Sequence, residues 1–159
     1  MAEAAPTDTR PVVLYVEDDA DTFRLAALRL KDTYQLVNAA TDREACAQLE
    51  AWGEKLYAVL MDVELQGSAL DGLALVRLLR GELPAAQTPA WARAVPRLNI
   101  PIIVMTAYPE RHSEAEARAL GATHFVPKPI DFRRLNLALA QANILSVMAR
   151  LTGRASVAR

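Results

Sequence analysis

Short apolar runs alternate along the chain with longer segments of helical periodicity. The apolar runs predict five strands, at residues 12–16, 34–39, 57–61, 100–105 and 124–126. The periodic segments predict five helices, at residues 21–30, 41–52, 71–80, 110–120 and 131–151. Most of the strands are apolar throughout instead of alternating, as expected for strands that are buried on both faces. The pattern therefore indicates a parallel sheet with helices on both sides.

This order of elements predicts an α/β fold of the flavodoxin-like, doubly wound type, with five helices around a five-stranded parallel sheet in the order 2-1-3-4-5. The first and third strands are neighbours in that order. Ligands bind such sheets at the carboxyl ends of the strands, near the point where the strand order reverses. Polar residues that follow these two strands are therefore the first candidates for function.

Length and composition fit one domain. The chain has 159 residues, of which 52% are hydrophobic, which is enough for a single core. We expect a disordered segment at residues 1–10, one domain at 11–151 and a short tail at 152–159 without an output domain.

The charge and the cysteine content limit which partners and which cellular compartment are expected. Lysine and arginine number 18 and aspartate and glutamate 19, so no nucleic-acid or anionic membrane surface is expected. The single Cys46 excludes an internal disulfide and fits a reducing compartment. No signal peptide or membrane-length apolar run is apparent, so a cytoplasmic protein is expected.

Acidic residues follow two of the predicted strands. Glu17 and Asp18 come after the first strand and Asp62 after the third, so the fold brings three carboxylates together. Carboxylates this close need a proton or a cation to relieve their repulsion, and Mg²⁺ is suited to such oxygen ligands. Asp19 and Asp21 are expected to be bystanders.

Two further strand ends carry complementary groups. Thr106 follows the fourth strand with a hydroxyl, and Lys128 follows the fifth with an ammonium. Carboxylates, a hydroxyl and an amine at one edge of a sheet form a candidate site for Mg²⁺ and a phosphoryl group. His112 and His124 have no second ligand at metal spacing and are expected to have ordinary surface or packing roles.

Five motifs stand in order on these elements, and together they resemble the receiver domain of two-component response regulators. They are VEDD after the first strand, LMDVEL at the third, DG at the third helix, VMTA after the fourth strand and PKP after the fifth. The resemblance extends from about Val12 to about Met148. It implies a Mg²⁺-dependent phosphoprotein that functions in signal transduction.

The resemblance also implies roles for individual residues. Asp62 would accept a phosphoryl group from a phosphohistidine, and Lys128 would pair with Asp62 and then with the phosphoryl oxygens. Asp18 and Asp62 would bind Mg²⁺ directly, Glu17 would bind it through water, and the backbone carbonyl of Glu64 would be a further ligand.

A conformational switch is implied as well. Thr106 would move toward the phosphoryl group, and Phe125 would turn inward as Thr106 moves. Apart from the switch, the resemblance implies a cis Lys128–Pro129 bond, which would fix how the ammonium of Lys128 is aimed.

The loop after Asp62 departs from the family pattern. It is about two residues longer than usual and has Gln66 where a proline is common. Glu64 and Tyr108 lie two residues after Asp62 and Thr106, respectively. We hypothesise that these two side chains tune the lifetime of the phosphoryl group.

A second departure is the segment at residues 81–99, which is about a dozen residues longer than this fold requires. It is expected at the amino ends of the strands, opposite the acidic site. Trp91 either docks a partner or a second copy of the chain, or pins the segment to its own domain. On the last helix, Leu137, Ile144, Leu145 and Met148 serve either a partner or the core.

The leading interpretation is a phosphorylation-switched signalling domain, with self-catalysed phosphoryl transfer and autodephosphorylation but no other enzymatic activity. Its expected partners are a sensor histidine kinase or phosphotransfer protein and a downstream protein. The downstream protein would bind the face of the fourth helix, fifth strand and fifth helix. A homodimer is a further candidate, and no direct nucleic-acid or membrane partner is expected.

Other interpretations stay open. The chain could be a pseudo-receiver that binds partners without phosphorylation, although the complete set of Asp18, Asp62, Thr106 and Lys128 argues against this. A phosphatase of the haloacid dehalogenase type would want an aspartate where Glu64 stands. A flavodoxin would need a hydroxyl- and glycine-rich loop after the first strand, where this chain has carboxylates.

Overall fold

The computed structural model describes residues 7–157. Residues 1–6 of the predicted disordered segment and residues 158–159 of the predicted tail lie outside the described residues.

Five parallel strands form one sheet in the order β2-β1-β3-β4-β5, which confirms the predicted topology. The strands are β1 (Val12–Val16), β2 (Gln35–Ala39), β3 (Ala58–Asp62), β4 (Ile102–Thr106) and β5 (His124–Pro127). Every residue of β3 and β4 is buried, because both faces of the central strands are covered by helices.

Five α-helices cover the two faces. They are α1 (Ala20–Leu30), α2 (Asp42–Trp52), α3 (Gly72–Leu79), α4 (Glu114–Ala119) and α5 (Phe132–Val157). The cluster under α1 and α5 includes Ala26, Leu30, Leu135 and Leu139. The larger cluster, under the other three helices, includes Cys46, Leu49, Leu75, Leu79 and Ala117.

Some boundaries differ from the predicted ones. Asp62 and Thr106 are the last residues of β3 and β4 instead of the residues after them. Helix α4 begins later than predicted because Ser113 caps it, its side chain accepting a hydrogen bond from the Glu116 N–H. Helix α5 continues past its predicted end near Leu151 to Val157.

The four apolar residues of α5 that could serve either a partner or the core do not belong to the core. Leu139 and Ala142 are the last buried apolar residues of this helix whose side chains the structure describes. The predicted positions are exposed by more than half, at 58% for Leu137, 62% for Ile144, 57% for Leu145 and 56% for Met148. Within residues 7–157, no helix combines the length and apolar content needed to cross a membrane.

The 81–99 segment packs against its own domain. It forms two short 3-10 helices, Ala85–Gln87 and Ala90–Ala92, and buries Ala92 and Leu98 in the larger cluster. The half-buried Trp91 packs on the same cluster, and the Arg43 guanidinium lies 5.1 Å from the centre of its ring. These contacts favour the interpretation that Trp91 pins the segment to its domain.

Arg43 lies in the first turn of α2, which follows the carboxyl end of β2. Through Arg43, the segment is therefore attached to the start of α2 as well as to the core. The position predicted for the segment, at the amino ends of the strands and opposite the acidic residues, stays a prediction.

Candidate acidic site at the carboxyl edge of the sheet

Three carboxylates meet where β1 and β3 end. Glu17 and Asp18 directly follow β1, Asp62 ends β3, and the two strands pair in parallel. One carboxylate oxygen from each of the three residues lies within 4.8 Å of the others. The sheet order therefore brings together the acids that were singled out in the sequence.

Lys128 supplies a positive charge to this cluster. Its Nζ lies 2.6 Å from Glu17 Oε2 and 3.2 Å from Asp62 Oδ2, and its side chain is only 17% exposed. Burial acts to lower the pKa of Lys128, but the hydrogen bond to Glu17 and the attraction of Asp62 outweigh it and raise the pKa. Lys128 is therefore a charged partner for both acids.

Asp62 is the buried acid with a free oxygen. The residue is 4% exposed, and among the described residues its Oδ1 has no hydrogen-bond partner. Burial raises the pKa of Asp62 to about 7, opposed by Lys128 and reinforced by Glu17 and Glu64. Additional positive charge beside Asp62 would favour its ionised form.

Glu17 is held by hydrogen bonds on both oxygens. Its Oε2 accepts from the Tyr15 hydroxyl at 3.1 Å as well as from Lys128, and its Oε1 accepts from the Asp19 N–H at 2.9 Å. Tyr15 is fully buried, and burial raises the pKa of its phenol. No sequence motif identified Tyr15, which reads as an ordinary residue of an apolar strand.

The longer loop after β3 folds back toward Asp18. The backbone N–H of Gln66 donates a hydrogen bond to Asp18 Oδ2 at 3.0 Å. The loop ends at the Asp71-Gly72 pair, where Asp71 caps α3 by accepting from the Ala74 N–H. A Cβ at Gly72 would lie 2.0 Å from the Asp62 carbonyl oxygen, so only glycine fits here.

Thr106 is engaged by Glu64. Its Oγ1 lies 3.1 and 3.3 Å from the two carboxylate oxygens of Glu64 and also accepts from the Tyr108 N–H at 2.9 Å. His112 Nε2 lies 3.4 Å from Glu64 Oε1, so His112 belongs to the edge of the site. The expectation of an ordinary surface or packing role for His112 did not anticipate this contact.

Asp19 and Asp21, which were both expected to be bystanders, differ in their contacts. Asp19 is not a bystander, because it caps α1 by accepting from the Thr22 N–H at 2.6 Å and also lines the cavity of the site. Asp21 is exposed, and its Oδ1 forms an ion pair with Arg24 Nη1 at 3.0 Å on the helix surface. The Lys128–Pro129 bond is cis, as predicted. Phe125 is buried opposite Val104, and its role in a switch stays a prediction.

The site opens into a cavity of about 310 Å³. Its lining combines acids, one ammonium group and an aromatic ring: Glu17, Asp18, Asp19, Asp62, Glu64, Gln66, Ala107, Tyr108 and Lys128. Water takes up roughly 30 Å³ per molecule, so a phosphoryl group and a partly hydrated ion can fit together. Clustered carboxylates with a free oxygen on Asp62 are a donor set that suits Mg²⁺.

Comparison with known proteins shows the family. The model of the response regulator receiver domain matches residues 13–140. The chain therefore belongs to the response regulator receiver domain family, whose members are signalling phosphoacceptors of two-component systems.

Several relatives are regulators that are longer than this chain. The transcriptional regulatory protein ZraR of Salmonella typhimurium is 30% identical over 82% of this chain and 26% of its own length. The nitrogen assimilation regulatory protein NtrX of Azorhizobium caulinodans is 28% identical over 77% of this chain and 24% of its own length. The chain thus spans about a quarter of the curated relatives it matches.

Among solved structures, the receiver domain of NtrX from Brucella abortus is similar with a TM-score of 0.66 and 26% identity. The similarity covers 82% of this chain and 97% of that one.

The raised pKa of Asp62 predicts a pH-dependent stability in metal-free solution. Unfolded Asp62 releases its proton near pH 3.8 and folded Asp62 near pH 7. Stability should therefore fall as pH rises through this window. We expect Asp62→Asn to remove this slope, so that its stability relative to the wild type improves from pH 5 to pH 8 by on the order of 2 kcal/mol.

Urea unfolding at the two pH values, in the presence of a chelator, measures this difference. Asp21→Asn, which removes an exposed carboxylate outside the site, is the matched control. If the free energies of unfolding of the wild type and Asp62→Asn differ by the same amount at pH 5 and at pH 8, the raised pKa of Asp62 is contradicted.

Proposed function

We propose that this chain is a phosphorylation-dependent receiver that takes a phosphoryl group from a histidine kinase or phosphotransfer protein onto Asp62. The observation that carries the proposal is the state of Asp62. It is buried, contacts Lys128 through Oδ2 and has no hydrogen-bond partner on Oδ1 among the described residues. The residue lines a polar cavity beside an ammonium group, and a carboxylate in such a place is suited to attack phosphorus.

Mg²⁺ fits the acids around Asp62. The carboxylates of Asp18 and Asp62 would hold it directly, together with the backbone carbonyl of Glu64, and Glu17 would act through water. When bound, it would supply positive charge that offsets the repulsion between these acids and the phosphoryl oxygens. The hydrogen bonds that occupy both oxygens of Glu17 support an indirect role for this residue.

The transfer step uses groups of this chain. An Asp62 oxygen forms the new bond to phosphorus while the bond from phosphorus to the donor nitrogen breaks, and its electron pair leaves with the donor imidazole. The ammonium of Lys128, already 3.2 Å from Asp62 Oδ2, would then neutralise charge on the phosphoryl oxygens.

The switch follows from a change of partner at Thr106. Its hydroxyl proton now faces Glu64, and a phosphoryl group on Asp62 would compete for it. Movement of Thr106 toward that group would alter packing at Phe125, which lies opposite Val104 on the neighbouring strand. The face formed by α4, β5 and α5 would carry the change to a downstream protein in the cytoplasm.

The proposal predicts that the chain is phosphorylated by a small phosphodonor. Incubation with Mg²⁺ and acetyl phosphate should add one phosphoryl group, because Asp62 lines the cavity and the proposed chemical step uses groups of this chain alone. Intact mass measures the adduct. Asp62→Asn should show none, whereas Asp71→Asn, which changes an acid that only caps α3, should still accept the group.

A wild type that binds no Mg²⁺ and takes no phosphoryl group would instead favour the pseudo-receiver. An adduct that persists in Asp62→Asn would place the acceptor elsewhere in the chain.

Glu64 should shorten the lifetime of the phosphoryl group, because its carboxylate competes for the Thr106 hydroxyl. We expect Glu64→Ala to slow dephosphorylation roughly threefold to tenfold, which corresponds to the net free energy of about one hydrogen bond. Decay of the adduct after removal of acetyl phosphate gives the rate, and Glu64→Gln separates charge from size. Equal rates in the wild type and Glu64→Ala would remove this role.

Tyr108 should act in the opposite direction. The residue lines the cavity, and the Arg111 guanidinium lies 4.6 Å from the centre of its ring. We expect the ring to limit the access of water. Tyr108→Ala should therefore speed the same decay, while Tyr108→Phe, which keeps the ring, should not. Unchanged decay in Tyr108→Ala would show that the ring does not shield the site.

A further inference from the structure

A buried carboxylate outside the acidic site holds the longer loop after β3. Asp42 lies at the start of α2 and is 3% exposed. Its Oδ2 accepts hydrogen bonds from the backbone N–H groups of Ala69 and Leu70 at 2.8 and 2.9 Å. Its Oδ1 accepts from the Arg43 N–H at 2.8 Å. Both oxygens of this buried group are thus used to bind backbone.

The loop also binds Asp42 in return. The hydroxyl of Ser68 accepts a hydrogen bond from the Asp42 N–H at 3.0 Å. Leu65 and Leu70, on either side of this contact, are buried in the larger core cluster. The loop is therefore attached to α2 by three hydrogen bonds and by two apolar side chains, and hydrogen bonds to a carboxylate are among the stronger ones.

Between these anchors the chain makes a tight turn that faces Asp18. The Ser68 N–H donates to the Leu65 carbonyl at 3.3 Å, and Gly67 adopts a φ of 75°. This turn directs the Gln66 N–H at Asp18 Oδ2. The position of Gln66 thus depends on the same short segment that Asp42 holds.

We propose that Asp42 is a positioning residue of the acidic site. By fixing residues 65–70 it holds the Gln66 N–H against Asp18 Oδ2, and so orients a carboxylate that is grouped with those of Glu17 and Asp62. The effect on Mg²⁺ rests on the proposed function, in which Asp18 is a metal ligand. Groups that orient a metal ligand contribute to affinity although they do not touch the metal.

The surroundings explain why α2 can serve as the anchor. Thr41 caps the helix by accepting from the Glu44 N–H at 3.2 Å. Arg43, the residue after Asp42, stacks on Trp91 of the 81–99 segment. The first turn of α2 is therefore held on both sides, so a loop that is longer than usual in this family is attached to a fixed point.

The test compares the metal-free and Mg²⁺-titrated protein. Hydrogen exchange of the Gln66 amide, followed by NMR without metal, reports the turn directly. We expect Asp42→Ala to speed exchange at Gln66 roughly tenfold or more because the loop is released. We expect the same variant to raise the Mg²⁺ dissociation constant roughly threefold to tenfold. This is less than the loss expected for removing a group that contacts a metal ligand directly, because Asp42 acts on Asp18 only through the loop.

Gln48→Ala is the matched control, because it removes a hydrogen bond of the same helix, accepted by Gln48 from the Trp52 ring N–H, that lies away from the first turn and does not touch the loop. It should leave both the Gln66 exchange and the Mg²⁺ affinity close to those of the wild type. Ser68→Ala and Asp42→Asn, which each retain part of the attachment, should give intermediate effects and replace Asp42→Ala if that variant does not fold.

Wild-type exchange at Gln66 in Asp42→Ala would overturn the proposal, as would equal losses of Mg²⁺ affinity in Asp42→Ala and Gln48→Ala. A wild type that does not bind Mg²⁺ would contradict the proposed function instead, and the exchange of Gln66 would still decide whether Asp42 holds the turn.

Discussion

The contact of one ammonium group with two buried carboxylates is the interaction on which the site depends. Lys128 lies between Glu17 and Asp62, and without it two acids would be buried side by side with no compensating charge. Lys128 does not cancel the cost completely, since the pKa of Asp62 remains well above its ordinary value. The remaining unfavourable charge makes the cavity receptive to a cation.

The fold maintains this arrangement from several directions. The apolar strands β3 and β4 are buried on both sides and end at Asp62 and Thr106, which fixes where these side chains emerge. Gly72 lets α3 approach the backbone of Asp62 more closely than any other residue would allow. Stability and the proposed role of Asp62 are therefore opposed, because a well-packed edge encloses a charge that the packing disfavours.

The sequence predicted the fold and the convergence of the acids because both depend on local patterns. Apolar runs define strands, and the strand order brings their ends together. Tyr15 and Asp42 were not identified, because their roles depend on partners that only the folded loops supply. Helix α4 begins later than its apolar pattern predicts because Ser113 caps it. Helix α5 continues through Gly153, although a glycine at this point is a common signal for the end of a helix.

The central claim is that the buried acids, and Asp62 above all, are poised for a cation. Calorimetric titration with Mg²⁺ near pH 6.5, in buffers of different ionisation enthalpy, measures the protons released on binding. The account predicts release of a substantial fraction of a proton by the wild type, because binding ionises Asp62. Asp62→Asn should bind Mg²⁺ more weakly and without this release. Binding by the wild type with no proton release, or with the same release in Asp62→Asn, would contradict the account.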